Sequence, residues 1–226
     1  MGSMSTFEIV VAVGLVVYSI SLHELAHSWT ATWCGDPTPG KHGRLTWNPI
    51  VQLDPFYSIL MPVAGFFLMG FPFGFAYTPV DPSRYRKPLR DGAFVGVSGP
   101  LTNILLALLF LGLLWVPGLA DPPAQNCRIF YYVAYWNLLL ACFNLLPIPG
   151  LDGYDIMRPA LPLSLRTALD GVRRMGFISI ILIFVVGMRL LPLVFYPVSR
   201  VFHQLVPEDA IYYMETGRLL TGYVGS

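Results

Sequence analysis

The sequence predicts an all-α polytopic membrane protein, and three observations carry that prediction. The 226 residues are 55% hydrophobic and 12% charged, about half the charged share of an ordinary soluble domain. Several apolar runs approach or exceed the about 20 residues that cross a bilayer as a helix. Clusters of proline and glycine fall between those runs and mark their ends. Four clean transmembrane helices are expected, together with a membrane-embedded re-entrant segment and an interfacial C-terminal tail. The net charge of +1 comes with no basic patch interleaved with exposed aromatics, so nucleic acid is not expected as a partner.

Met1-Gly2-Ser3 ahead of Met4 reads as a remnant of cloning; residues 4–200 read as one membrane domain and 201–226 as the tail. The first span runs from Thr6 to Trp33 and stops before Gly35-Asp36-Pro37, a turn cluster that no helix crosses. It has no small-residue cleavage site, so it is expected to stay in the mature chain as a span. Thr38 to Pro55 is polar and turn-rich. Tyr57 to Pro79 is apolar but broken by Pro62, Gly65, Gly70, Pro72 and Gly74, which argues against one straight helix. The second clean span runs from Ala93 to Val116, ended by Pro117-Gly118. The third runs from Ile129 to Leu146, ended by Pro147 and Pro149. A loop with Arg158, Arg166, Arg173 and Arg174 precedes the fourth, Phe177 to Phe195. From Val198 the chain is weakly amphipathic and is expected to lie at the interface or fray.

If the broken segment re-enters, the loops 38–90 and 159–174 share a side with Lys41, Arg44, Arg84, Arg86, Lys87, Arg90, Arg158, Arg166, Arg173 and Arg174. The loop opposite holds Arg128 alone. Cytoplasmic loops carry the excess of Lys and Arg, so the rich side is cytosolic and the N-terminus lies outside. Irregular backbone at membrane depth is tolerated only where it lines a cavity or is buried in protein, so a re-entrant segment points to a site.

Within the first span stands His23-Glu24-Leu25-Ala26-His27. Ionisable groups at bilayer depth cost roughly 2.5 kcal/mol each or more unless paired or solvated, so such a cluster marks function. Histidines at i and i+4 share one helix face one turn apart. Both imidazoles reach a single Zn²⁺ while Glu24 stays near its water, the pattern of a metalloprotease. A catalytic zinc needs a third protein ligand. His42 and His203 stand in turn-rich or tail segments. Asp152, in Asn144-Leu145-Leu146-Pro147-Ile148-Pro149-Gly150-Leu151-Asp152-Gly153, is the better candidate, because prolines unwind the chain there and, under the re-entrant topology, this helix ends on the same face as the first. Cys34, Cys127 and Cys142 are odd in number without CxxC spacing, so apolar packing is expected of each.

These residues, with Ser98-Gly99-Pro100-Leu101-Thr102-Asn103 at the start of the next clean helix, resemble the site-2 proteases, zinc metalloproteases that cut peptide bonds inside membranes. The resemblance spans about residue 10 to residue 200 and is nearest the compact branch without a PDZ or CBS domain, where Gly43-Arg44-Leu45-Thr46-Trp47-Asn48-Pro49 also recurs. It implies one zinc per chain held by His23, His27 and Asp152, with Glu24 as acid/base. It also implies that Asn144 holds substrate or the developing oxyanion, and it turns Asn103 toward the substrate. The implied partners are the lipid bilayer and a transmembrane-helix protein substrate, cut in regulated intramembrane proteolysis. The implied location is a bacterial cytoplasmic membrane or an organellar equivalent, with the site toward the cytosol. Tyr154 stands where the aspartate motif often has a second glycine, and Gln52 where the branch often has His.

Other classes fit parts of the pattern. Gly96-Val97-Ser98-Gly99 matches the serine motif of rhomboid proteases, but a serine nucleophile needs a histidine base, and His203 lies beyond the last clear span. Small residues and Pro100 there also read as close packing and a helix start. Asn144 has a competing role, capping backbone freed by Pro147. A zinc-binding scaffold that holds transmembrane helices without cutting them would have no use for Glu24. A transporter would show duplicated halves with paired broken helices, and none are evident.

Overall fold

In the computed structural model, residues 5–52, 78–119, 125–175, 177–208 and 210–211 are described. Eight α-helices form among them: α1 Thr6–Trp33, α2 Thr38–Lys41, α3 Pro49–Gln52, α4 Pro88–Leu113, α5 Gln125–Asn144, α6 Asp152–Met157, α7 Leu163–Arg173 and α8 Phe177–Leu205. No strand forms among the described residues; Pro149 and Leu151 make an isolated bridge. Thr6–Trp33 and Pro88–Leu113 are long and apolar enough to cross a membrane.

Helix α1 matches its predicted bounds. Ser5 caps it, accepting the Glu8 N–H while the Glu8 carboxylate accepts the Ser5 N–H. Helix α4 starts five residues before the predicted Ala93. Pro88 suits a first turn, and the Asp91 carboxylate accepts the Lys87 N–H at 2.8 Å, so the charged residues read as loop belong to the helix. Helix α5 likewise starts at Gln125, not Ile129, and ends at Asn144.

Helix α8 departs furthest from the sequence reading. It continues through Pro192 and Pro197 to Leu205, and the predicted interfacial or fraying tail is packed at least as far as Ala210. Phe202, Val206 and Ala210 join Leu111, Leu114, Cys127 and Ala134 in one apolar cluster, which supplies the contacts a free tail lacks.

The long helices alternate in direction. At one end, Ala12 packs with Ile129 and Val133, Glu8 stands 3.9 Å from Arg128, and Trp115 donates to the Leu205 carbonyl at 2.8 Å. Toward the other end, Leu146, Ile148 and Leu151 pack against Val186, Leu190 and Leu191 in the middle of α8. The loops after α1 and α5 therefore share an end with α6 and α7. The predicted re-entrant segment, Tyr57 to Pro79, lies outside the described residues except for Thr78 and Pro79. Residues on its two sides meet at that same end: the buried Asp36 carboxylate accepts the Thr38 and Asp81 N–H groups at 2.9 and 2.6 Å, and Arg86 N–H donates to the Cys34 carbonyl at 3.0 Å.

Candidate metal centre

His23 and His27 bring their Nε2 atoms within 3.0 Å of each other on the buried face of α1. Asp152, first residue of α6, brings its carboxylate to 3.3 Å from His23 Nε2 and 3.4 Å from His27 Nε2. The sequence separates Asp152 from the two histidines by more than a hundred residues, and the fold gathers them because α4 packs against both α1 and α6.

Small residues of α4 make that packing possible. A Cβ at Gly96 would meet the Asp152 carbonyl oxygen at 3.0 Å and Asp155 Cβ at 3.2 Å, so its absence lets α6 settle on α4. A Cβ at Gly99 would lie 2.5 Å from His23 Nε2 and closer still to His27 Nε2. The two glycines therefore open the space in which the three ligands meet. A Cβ at Gly153 would collide with the Leu145 carbonyl and stand 2.5 Å from the Leu146 oxygen, which seats Asp152 against the end of α5.

The far sides of both rings fix their tautomers. His27 Nδ1 donates to the Val95 carbonyl at 2.7 Å, and His23 Nδ1 faces Asn103 Oδ1 at 2.9 Å. A carbonyl oxygen only accepts, so each Nδ1 carries its proton and each Nε2 presents a lone pair inward. Two lone pairs and a carboxylate facing one point repel unless a cation or protons stand between them. Asp152 Oδ2 is also buried with no hydrogen-bond partner. Two imidazoles and a carboxylate are the donor set of a catalytic zinc with its fourth position open, so the residues fit the metal. Carboxylate or carbonyl partners behind ligand histidines orient them in such sites.

Glu24, buried beside His23, receives the Thr78 hydroxyl on Oε2 at 2.6 Å. Thr78 was not singled out from sequence, and nothing local marks it, since the contact closes over 54 residues. Asn103 stands behind His23, fully buried, with its Oδ1 facing His23 Nδ1. Asn144 donates from Nδ2 to the Leu140 carbonyl at 3.1 Å, one turn back in its own helix. Ser98 Oγ lies 3.3 Å from His27 Nδ1, a proximity absent from the sequence reading. That nitrogen already donates to Val95, and Ser98 itself donates to the same carbonyl at 2.7 Å, so no base faces the hydroxyl. His42 is exposed and His203 packs near Tyr131 and Tyr135 at the opposite end. Gln52 is buried and donates to the Arg44 and Thr46 carbonyls.

Comparison with known proteins agrees with this centre. "Putative zinc metalloprotease YwhC" of Bacillus subtilis is 38% identical over 177 residues, covering 75% of this chain and 78% of the relative. "Putative zinc metalloprotease Rip2" of Mycolicibacterium smegmatis is 32% identical over 176 residues, 74% of this chain and 63% of the relative. "Zinc metalloprotease MJ0392" of Methanocaldococcus jannaschii is 26% identical over 147 residues, 65% of this chain and 33% of the relative. No family model and no solved structure matches the chain. With identity to YwhC at this level over most of both chains, the protein belongs to the site-2 protease family of zinc metalloproteases.

Proposed function

We propose that the protein is a zinc-dependent endopeptidase that hydrolyses peptide bonds in or beside the transmembrane segments of membrane-protein substrates, the chemistry of regulated intramembrane proteolysis. One observation carries the reading: the inward Nε2 lone pairs of two histidines on a helix apolar enough to span a bilayer converge with an unpartnered carboxylate oxygen of Asp152 on one point, and Glu24 adjoins the first histidine. His23, His27 and Asp152 would hold one zinc. Bound there, zinc lowers the pKa of a water molecule to about 7 and polarises the scissile carbonyl. Glu24 takes the proton of the attacking water and passes it to the leaving amine. The Thr78 hydroxyl fixes one carboxylate oxygen of Glu24 and leaves the other for that proton. A substrate helix hides its carbonyls in i to i−4 hydrogen bonds, so glycine or proline near the cut site favours cleavage.

Helices α1, α4, α5 and α8 serve as the four spans in this reading. Support comes from their alternating direction and from the ten lysines and arginines of the loops gathered at the end that holds the centre. That end is cytosolic by the positive-inside rule.

The test is Glu24→Gln in detergent-purified protein, assayed on a transmembrane-helix peptide with a central glycine. Cleavage should fall by at least ~100-fold, the lower range for a general base, while zinc stays at one per chain. Full activity in Glu24→Gln, or no zinc in the parent, refutes the proposal.

A further inference from the structure

Helix α7, between α6 and the apolar α8, is mounted with its polar side on the protein. Asp170 accepts from the Tyr154 hydroxyl at 2.7 Å and from Arg158 at 2.7 and 3.1 Å, and Arg173 donates to Asp155 at 2.8 Å. The opposite side of the helix is apolar: Leu165, Ala168, Leu169, Val172 and Met175 recur at the i, i+3, i+4, i+7 spacing of one face. None of these five is buried, and Leu165 and Met175 are 47% and 52% exposed. A helix of a water-soluble fold turns its apolar face to the core. Here four ion-pair and hydroxyl contacts tie Asp170 and Arg173 to the body, while Leu165, Ala168 and Met175 stay exposed and Leu169 and Val172 are half-buried at the edge of the contact.

We propose that α7 lies in the headgroup layer of the bilayer at the cytosolic rim, apolar face in lipid and arginines toward lipid phosphates. This rests on the membrane reading of α8 given above. Three features of the molecule favour a bilayer over another occupant. Three residues, 174–176, lie between α7 and α8, so α7 ends close in the chain to the start of an apolar 29-residue helix. Arg158, Arg166, Arg173 and Arg174 stand against Asp155 and Asp170 over this stretch, an excess of positive charge suited to phosphate. Eleven residues of helix are about 16 Å long, and a face of that size falls far short of the ~800 Å² per partner of a stable protein interface.

The experiment is site-directed spin labelling of the full chain in vesicles of phosphatidylcholine and phosphatidylglycerol. Cys34→Ser removes the partly exposed native thiol; Cys127 and Cys142 are buried. Labels go at Leu165→Cys and Val172→Cys on the apolar face, Thr167→Cys and Arg174→Cys on the exposed polar flank, and Val185→Cys on α8 as the control. Oxygen should relax the labels at 165, 172 and 185 several-fold more than a water-soluble nickel chelate does, with the order reversed at 167 and 174. Nickel access at 165 and 172 equal to that at 167, with 185 still in lipid, overturns the proposal and leaves the membrane reading intact. Nickel access at 185 overturns both. Exclusion of both reagents at 165 and 172, with spin–spin broadening that disappears on dilution with unlabelled chain, overturns it in favour of a second copy.

Discussion

Replacing Gly99 by alanine tests the centre at its tightest point. The new Cβ would stand 2.5 Å from His23 Nε2, 2.6 Å from His23 Cε1 and nearer still to His27 Nε2. Non-bonded heavy atoms settle at about 3.5 Å, so the rings or the helix must retreat by about 1 Å. Zinc–nitrogen bonds are about 2.0 to 2.1 Å long, and a ligand displaced by that much is lost. Even partners behind the ligands change affinity by about 10- to 100-fold, so zinc binding should weaken by at least ~100-fold. Overpacking costs about 1–3 kcal/mol, and alanine recovers up to about 1 kcal/mol of helix propensity, so the chain should stay folded. Gly92→Ala and Gly112→Ala, on the same helix with nothing within 4 Å of the new atom, are the controls. The assay is zinc per chain after dialysis against chelators of graded strength, with circular dichroism as the fold check. A folded Gly99→Ala protein that keeps one zinc as firmly as its parent refutes the inference that both Nε2 atoms face one metal.

Asn103→Leu removes the acceptor behind His23 and should weaken zinc binding by about 10- to 100-fold, with Asn103→Asp restoring it; competition with a fluorescent chelator reads both. Ser98→Ala should keep peptidase activity within about threefold, the order expected when a hydroxyl bonded to a backbone carbonyl is lost; loss of all cleavage with zinc retained would restore a serine mechanism. Arg158, and then the Tyr154 hydroxyl, hold the Asp170 carboxyl below its usual range. A depressed folded-state pKa contributes stability above the unfolded value near ~3.9 that is lost as pH falls through the folded value. Asp170→Asn should therefore lower Tm at neutral pH and flatten its decline in acid, and identical slopes in the two proteins would refute this role.

His23, Glu24 and His27 were legible because a polar triplet stands out in an apolar run at a spacing that only one secondary structure makes meaningful. Asp152 was legible through its neighbours, since Pro147 and Pro149 announce a break at the end of a helix. Gly96 and Gly99 were read as packing glycines, which is correct, but what they pack against is set by α1 and α6 and has no local signal. Helix α7 was passed over as a loop because its arginines drew attention to charge. Its apolar spacing from Leu165 to Met175 was present in the sequence. The extent of α8 was misread for another reason. The span was read as ending at Phe195 with a weakly amphipathic tail from Val198, whereas packing of Phe202 and Val206 against Leu111 and Leu114 carries the helix to Leu205 and outweighs the N–H donors missing at Pro192 and Pro197.

The buried face of α1 is the polar one. Ser19, Ser21, His23, Glu24, His27 and Ser28 are buried, while Phe7, Ile9, Val10 and Val13 are exposed. Asn137 of α5 reaches across to Ser19 at 3.1 Å and is fully buried. A chain organised by burial of apolar surface in water would place these groups the other way round. Lipid reverses the preference, because apolar side chains are as well solvated outside the bundle as within it and polar ones are not. Under that rule polar residues on a span gather at helix contacts whether or not they do chemistry, so burial does not by itself separate a ligand from a packing contact. Convergence of ligand atoms does: among the described residues, His23, His27 and Asp152 are the group of His, Cys, Asp or Glu side chains whose ligand atoms all lie within 4.8 Å of one another. Ser19 and Ser21 donate to backbone carbonyls one turn back, and Asn137 donates twice. Among the described residues, the inward Nε2 atoms and Asp152 Oδ2 face one another, the arrangement that a shared cation would join.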